Sequence, residues 1–339
     1  MTGPLPDRRN EFDVTNTVRV SSPDAVRDAV DELFRKTYPG ASYDALWMAF
    51  HDYERLFDGS FPGYVGCDTV YHDRQHTLDM TLAMARLLAG YEQSNEPDMQ
   101  LGAERAVLGL MTALFHDSGY IRRTDEPHWE NGAQLTNWHV SRSSEFLRAY
   151  LPELGLEHLA GRAGMLVHFT GYEHDVDDIE LEDPLDATLG HLLGTADLLA
   201  QMADRCYLEK CRDRLYAEFV LAGIAFGDAV GGSPTYQSGQ DLLRQTPGFW
   251  RQAAFRRMNR QFNRAYRYME PMFDGRNPYM EWIDTNLAYL DQVLTTGNWA
   301  GLRRKPPCFT VKRDTVAKVG ALVSHRLAEH ELPTDIGRT

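Results

Sequence analysis

Residues 106–119 read Ala106-Val107-Leu108-Gly109-Leu110-Met111-Thr112-Ala113-Leu114-Phe115-His116-Asp117-Ser118-Gly119, an apolar run that ends in a His-Asp doublet. A run of this kind is typical of a buried helix. An imidazole and a carboxylate at its end therefore lie in the core, where burial is costly unless something pairs with both. A divalent cation pairs with both. We predict an all-α protein with a metal site at His116 and Asp117.

The composition is that of a globular protein. With 339 residues, 43% of them hydrophobic, the chain can bury a substantial core. A formal charge of −14 argues against a nucleic acid polymer as partner, because the phosphate backbone normally needs a basic face. The four cysteines lack CxxC spacing, so a reducing compartment, the cytoplasm by default, is expected. The longest apolar stretch, Phe219 to Phe226, is too short to span a bilayer, so no membrane partner is expected.

The predicted organisation is one helical domain over residues 21–339 behind a flexible N-terminal arm, residues 1–20. Its metal-site core covers about residues 70–200, and further helices follow at about 201–339. Ser22-Pro23-Asp24 provides an N-cap, a proline at the first helical position and an early acid, which predicts a helix start. Residues 226–239 are rich in turn-forming residues and predict a loop, either a lid or pocket wall or a plain surface connection.

A second histidine pair precedes the doublet. His72 and His76 are four residues apart, so both rings share one face if the helix has begun by His72. Asp79 is then close enough to orient His76, and metal-binding histidines need such support. Two incidental histidines at a polar helix entrance are the plain alternative.

These residues resemble the HD-domain superfamily of metal-dependent phosphohydrolases, which has a helix histidine, a His-Asp doublet and a later lone aspartate, here Asp197. Residues 71–80 are similar to the first signature of the class I cyclic-nucleotide phosphodiesterases. The matched positions are Tyr71, His72, His76 and Asp79. Asp73 stands where that family has asparagine, and the doublet lacks the further histidine that follows it there. The resemblance implies an HD-domain-like helical bundle with additional C-terminal helices.

The resemblance also implies a ligand set for two divalent metal ions. One metal would be held by His76, His116, Asp117 and Asp197. Asp117 would bridge to a second metal held by His139, which we place in a helix beginning at His128, and by His168. His128 and His174 are alternatives for the second metal. Such ligands suit Mn, Mg, Fe, Ni or Zn.

The activity implied is hydrolysis of a cyclic nucleotide or another small phosphate ester by a metal-activated water. His72 would protonate the leaving oxygen. Arg122 or Arg123 would balance charge on the phosphate, although a surface role for both is the plainer alternative. Two other functions stay open, a di-iron oxygenase on the same scaffold and a nonenzymatic metal-containing ligand sensor. The oligomeric state also stays open, a homodimer included.

Two charged segments lie outside this set. Residues 173–183 are strongly acidic and predict a solvated loop. A basic cluster follows at helical spacing, and it neutralises the acidic segment, binds an anion or is merely a solvated face. Its members are Arg251, Arg256, Arg257, Arg260 and Arg264.

Overall fold

The computed structural model describes residues 7–227 and 235–330, without the side chains of Gln252 and Ala253. Within these residues the fold is all-α, as predicted. In residues 7–227 and 235–330, twelve α-helices are joined by short 3-10 and π segments, and the only β pairing is two isolated bridges, Phe12 with Arg19 and Tyr64 with Arg123. No helix in the described part of the chain has both the length and the apolar character needed to cross a bilayer.

The helices are numbered in chain order. The first six are α1 Pro23–Thr37, α2 Asp44–Asp58, α3 Arg74–Ser94, α4 Gly102–Phe115, α5 His139–Glu153 and α6 Glu157–Leu166. The last six are α7 Pro184–Ala203, α8 Tyr207–Lys210, α9 Tyr216–Leu221, α10 Gly239–Phe249, α11 Pro278–Thr296 and α12 Thr315–Glu329.

Helix α3 is the centre of the fold. All its residues from Gln75 to Glu92 are buried, because α1, α4, α7 and the 3-10 segment Ala265–Phe273 pack around it. Gly90 permits the closest of these contacts, since a Cβ there would overlap the carbonyl oxygen of Tyr268. The buried hydrophobic side chains form one cluster that extends from Val14 to Leu327, so the C-terminal helices share its core.

The predicted loose arm is wrong for residues 7–20, which are packed against the helices. Arg8 donates from Nη2 to the carbonyl of Ala203 at 2.8 Å, and Asp13, fully buried, pairs with Arg86 of α3 at 2.5 Å. The indole N–H of Trp282 donates to the carbonyl of Val14 at 3.0 Å. The segment lacks helical or strand periodicity, so its polar residues gave no sign of these distant partners. Residues 1–6 lie outside the described residues.

The apolar run around which the prediction was built forms α4, and the doublet lies directly after it. The helix ends at Phe115, His116 is its C-cap, and Ser118–Tyr120 continue as a 3-10 turn. The predicted start of α1 is confirmed as well, because the Ser22 side chain accepts from the N–H of Ala25 at 3.3 Å. In the predicted loop at 226–239, residues 228–234 lie outside the described residues.

Candidate metal centre

Four predicted ligands meet where three helices converge. His76 comes from the first turn of α3, His116 and Asp117 from the end of α4, and Asp197 from α7. His76 Nε2 is 3.2 Å from Asp197 Oδ1 and 3.5 Å from Asp117 Oδ2. His116 Nε2 is 3.2 Å from Asp117 Oδ2. The tertiary structure therefore brings together donors that are up to 121 residues apart in sequence.

The donor atoms fit a cation. His116 Nε2, Asp117 Oδ2 and Asp197 Oδ1 are buried, and none has a hydrogen-bond partner among the described residues. Unpaired buried polar atoms are costly, and a cation satisfies them together. One donor atom each from His76, His116 and Asp197 lies within 4.8 Å of the others. Two imidazoles with carboxylates form a donor set that suits divalent transition metals.

Charge in this centre is strongly coupled. Burial lowers the pKa of His116, but the adjacent Asp117 carboxylate outweighs burial and raises that pKa to about 9. For Asp117 burial favours the neutral acid, yet His116, His72 and His76 hold its pKa well below the ordinary range. Asp117 is therefore ionised at neutral pH, and a metal that bound here would displace the His116 proton.

Two backbone carbonyls orient the imidazoles. The Nδ1 of His116 is 2.8 Å from the carbonyl oxygen of Ala113, and the Nδ1 of His139 is 2.6 Å from that of Thr136. A carbonyl only accepts, so each Nδ1 carries the proton and each Nε2 is free to bind a metal.

His139 faces the other oxygen of Asp117, with 4.0 Å between His139 Nε2 and Asp117 Oδ1. The carboxylate thus lies between His139 on one side and His76 and His116 on the other, as a bridging ligand would. The predicted helix start at His128 is wrong, because α5 begins at His139. The residues before His139 instead contain a separate 3-10 turn, Gly132–Leu135, which Asn131 caps.

His168 is placed apart from Asp117. It lies in the 3-10 turn after α6 and forms a second group of possible donors with Glu173 and His174. Its ring is 4.7 Å from that of His174, and its buried Nδ1 has no partner among the described residues. Glu173 connects the two groups, since its Oε1 is 4.0 Å from His139 Nδ1. The alternative ligand His128 is exposed and its ring lies against Trp129.

His72 is held by a residue that the sequence analysis missed. Glu218 of α9 lies 2.6 Å from His72 Nδ1 through Oε2, while its Oε1 accepts from the N–H groups of Val70 and Tyr71. Burial lowers the pKa of His72, but Glu218 outweighs it, so the pKa is raised. The one available signal was a carboxylate within the apolar sequence Ala217-Glu218-Phe219-Val220-Leu221.

An aromatic stack joins His72 to His139, one of the candidate ligands. The Tyr120 ring packs face to face with His72 at 4.4 Å and with His139 at 4.3 Å between ring centres. Tyr120 is buried, and its ring position limits how far either imidazole can rotate.

The predicted role of Asp79 is not supported by a direct contact. No hydrogen bond joins it to His76 in the described structure, and its Oδ1 is buried without a partner. Both residues line a cavity of about 10 Å³. Burial raises the pKa of Asp79 to about 7, and Asp204 and Asp13 add to this effect while Arg8 opposes it. Asp79 therefore belongs to a group of buried charged residues next to the candidate metal centre, with Arg8, Asp13 and Asp204.

The predicted phosphate contacts of Arg122 and Arg123 are wrong, because both guanidinium groups are engaged elsewhere. Arg122 donates to Asp68 at 2.6 Å and to the carbonyl of Trp129 at 2.6 Å. Arg123 pairs with Glu145 on the surface at 3.0 Å. Neither side chain lines the cavity at the metal centre.

That cavity has a volume of about 230 Å³ and two unlike groups of lining residues. One group is the polar centre, with His72, His76, His116, Asp117, His139 and Asp197. The other is apolar and aromatic, and includes Leu215, Phe219, Tyr236, Leu242 and Phe249. Among the described residues no lysine or arginine lines it. The predicted loop contributes Tyr236 and therefore forms part of the wall.

Comparison with known proteins gave no relative: no family model, curated protein or solved structure matches this chain.

Proposed function

We propose that this chain is a metal-dependent phosphohydrolase of the HD-domain type, most specifically a phosphodiesterase acting on a cyclic nucleotide or another small phosphate ester. The observation that carries the proposal is the pairing of His72 with Glu218 beside the donor set of His76, His116 and Asp197. A proton donor and a metal-binding group then line one cavity. Hydrolysis of an ester with a poor leaving group needs both, because water must be activated and the leaving oxygen protonated.

The metal ions would be held in the places that the donors define. His76, His116, Asp117 and Asp197 would hold the first, and Asp117 with His139 a second. A divalent metal bound there lowers the pKa of a coordinated water enough to supply hydroxide near neutral pH. Asp117 is ionised, as binding to two cations would require. The carbonyls of Ala113 and Thr136 accept from Nδ1 of His116 and His139, which leaves the Nε2 atoms for the metals.

His72 would carry the proton for the leaving group. Its raised pKa favours the protonated imidazolium, and Glu218 fixes the ring from the Nδ1 side. Its Nε2 is then the atom that donates to the leaving oxygen. The apolar wall formed by Phe219 and Leu242 would receive the uncharged part of the ester and exclude water from the reacting phosphate.

The test is metal content per chain together with hydrolysis of bis-para-nitrophenyl phosphate under added Mn, Mg, Fe or Ni. We expect about two metals and metal-dependent release of nitrophenol. His116→Ala and Asp117→Ala should lose metal and activity together, whereas His158→Ala, at an exposed histidine on α6, should keep both.

Three other outcomes would contradict the proposal. Two irons per chain with oxygen uptake and no hydrolysis would indicate the di-iron oxygenase. Full metal occupancy without turnover on a broad panel of phosphate esters would indicate a ligand sensor. Failure to bind metal even on titration would remove the metal centre itself.

A further inference from the structure

A second cavity, of about 630 Å³, opens beside the metal centre, and we name it the arginine groove. Arg256, Arg257 and Arg260 of the basic cluster line it, together with Tyr172 and the acidic residues Asp175 and Asp177. Arg256 and Arg260 are exposed, and neither forms an ion pair within 4.0 Å with any described residue, although they lie beside these acids. Neutralisation of the acidic segment therefore does not account for them.

Arg257 is the buried floor of the groove. It is 7% exposed, and its Nε has no hydrogen-bond partner among the described residues. Its Nη2 donates to the carbonyl of Gly171 at 2.7 Å, and the guanidinium lies over the Tyr172 ring at 4.4 Å from the ring centre. A buried cation with a free donor favours an anion nearby.

The acidic residues in the groove are partly engaged with each other and with glutamine. Asp175 Oδ1 accepts from Gln261 Nε2 at 3.1 Å and from the N–H of Asp177 at 3.0 Å. Three guanidinium groups thus face two carboxylates, one of which already has two donors. The groove keeps an excess of positive charge.

The groove and the metal cavity share a wall. Tyr172 lines both, and Gly171, which holds Arg257, lines the metal cavity. The metal cavity contains no lysine or arginine among its described lining residues, so the arginine groove is the cationic surface next to it. A substrate that passes Tyr172 would meet these arginines.

We propose that the arginine groove binds a second phosphate group of the substrate whose diester occupies the metal cavity. The substrate class is then a small phosphodiester that carries a further phosphate, rather than a diester with a single charge. This inference rests on the proposed function. Arg256 and Arg260 are specificity residues that contact the remote phosphate, and the buried Arg257 adds positive charge and a free Nε–H at the floor of the groove.

The experiment compares two esters that differ only in that phosphate, thymidine 5′-(4-nitrophenyl phosphate) and its 3′-phosphorylated form. Wild-type protein should prefer the phosphorylated ester by about tenfold or more in kcat/KM, through KM, because charge-assisted hydrogen bonds to phosphate are worth about this much. In the Arg256→Gln/Arg260→Gln double variant this preference should fall to near one, with the unphosphorylated ester unaffected. Arg251→Gln, at an exposed arginine outside the groove, is the matched control.

A calorimetric titration with inorganic phosphate, on wild type and the double variant, separates the two proposals. If both esters are hydrolysed and the double variant keeps the wild-type preference, the groove proposal is overturned and the proposed function stands. If neither ester is hydrolysed, the proposed function fails for this class. In that case, phosphate binding by the wild type that is lost in the double variant would show that the groove is an anion site. If the wild type bound no phosphate, the anion site would be overturned as well.

Discussion

His72 and His76 are four residues apart, yet only His76 belongs to helix α3. Asp73 is the N-cap, and its Oδ1 accepts from the N–H groups of Gln75 and His76 at 3.0 and 3.3 Å. His72 therefore lies before the helix, in a bend of the chain, where Glu218 contacts it. One capping carboxylate thus gives the two histidines different surroundings, which suit the ligand role that we propose for His76 and the proton-donor role that we propose for His72.

Substitution of His72 should separate chemistry from metal binding. We expect His72→Gln to retain its metal and to lower turnover by about 10²- to 10⁴-fold on an ester with a poor leaving group, which needs protonation. The loss should be smaller for a nitrophenyl ester, since nitrophenolate leaves without a proton. Rates on the two esters, with metal content measured in parallel, test this. Equal losses on both would exclude the general-acid role.

Glu218 should control the pH at which His72 loses its proton. Burial lowers the pKa of His72, but Glu218 acts in the opposite sense and the net pKa is raised. If His72 is the general acid that we propose, activity should fall as pH rises through that pKa. In Glu218→Gln the supporting charge is gone and the pKa of His72 falls. The alkaline limb of the kcat profile should therefore move to lower pH, with metal content unchanged. An unmoved limb would assign Glu218 a purely structural role.

At the scale of elements, the close approach of α5 to the 3-10 turn Ser118–Tyr120 sets the position of His139. Gly119 lies in the turn after α4, and a Cβ there would overlap the carbonyl oxygen of His139. The same contact is held by hydrogen bonds, from the N–H of Gly119 to Ser143 Oγ at 2.8 Å and from Arg142 Nε to the Gly119 carbonyl at 2.9 Å. The absence of a side chain at Gly119 lets His139 face Asp117.

Gly119→Ala should displace the start of α5. We expect a loss of about 1–3 kcal/mol in the free energy of unfolding, as for overpacking, together with weaker metal binding. Gly161→Ala on the exposed side of α6 is the control, because the nearest atom to its new Cβ is 4.0 Å away. The control should gain up to about 1 kcal/mol from helix propensity. Urea unfolding and metal titration of both variants give the comparison, and unchanged metal affinity in Gly119→Ala would count against this packing argument.

At the scale of the whole molecule, the N-terminal segment closes a buried charge cluster against the helix bundle. Arg8 and Asp13 come from this segment, Asp79 and Arg86 from α3, and Tyr279 from α11, where its hydroxyl accepts from Arg86 Nη1 at 2.8 Å. Three polar atoms in this cluster have no hydrogen-bond partner among the described residues, namely Nε and Nη1 of Arg8 and Oδ1 of Asp79. Asp79 is the member whose ionisation the fold opposes.

Asp79→Asn should stabilise the protein, and more so at high pH. The folded-state pKa of Asp79 is raised to about 7, so the wild type loses stability as pH rises from its unfolded pKa, about 4, towards 7. Asparagine cannot ionise, and its advantage over wild type should be about 2 kcal/mol larger at pH 8 than at pH 5.5. Urea unfolding at the two pH values measures this.

The matched control for Asp79→Asn is Glu126→Gln, at a carboxylate outside the cluster around Asp79. Glu126 is paired with Arg142 at 2.7 Å, and the hydrogen bonds from Arg142 lower its pKa to about 2 although burial opposes this. Its stabilising effect is complete above the unfolded pKa, so the variant should lose the same free energy at pH 5.5 and pH 8. A similar pH-independent loss in Asp79→Asn would mean that Asp79 is ionised and paired with Arg8.

The sequence alone predicted several helices and most of the candidate donor residues. The apolar run before His116 predicted α4 and the Ser22-Pro23 start predicted α1, while the family resemblance of His76, the doublet and Asp197 implied a donor set that the structure brings together. These features can be predicted from the sequence for two reasons. Helix caps and helical periodicity depend on residues that are close together in the chain, and metal-ligand residue types are chemically distinctive.

Only the tertiary structure decided which distant side chains meet. It paired Glu218 with His72 across 146 residues, engaged Arg122 with Asp68, and grouped His168 with His174 instead of with Asp117. Such pairings depend on how helices pack, and nothing in the local sequence marks one carboxylate or histidine as a partner of another. The sequence therefore determined the helices and the main candidate donor residues, whereas packing determined the contact between Glu218 and His72 and the surroundings of the candidate metal centre.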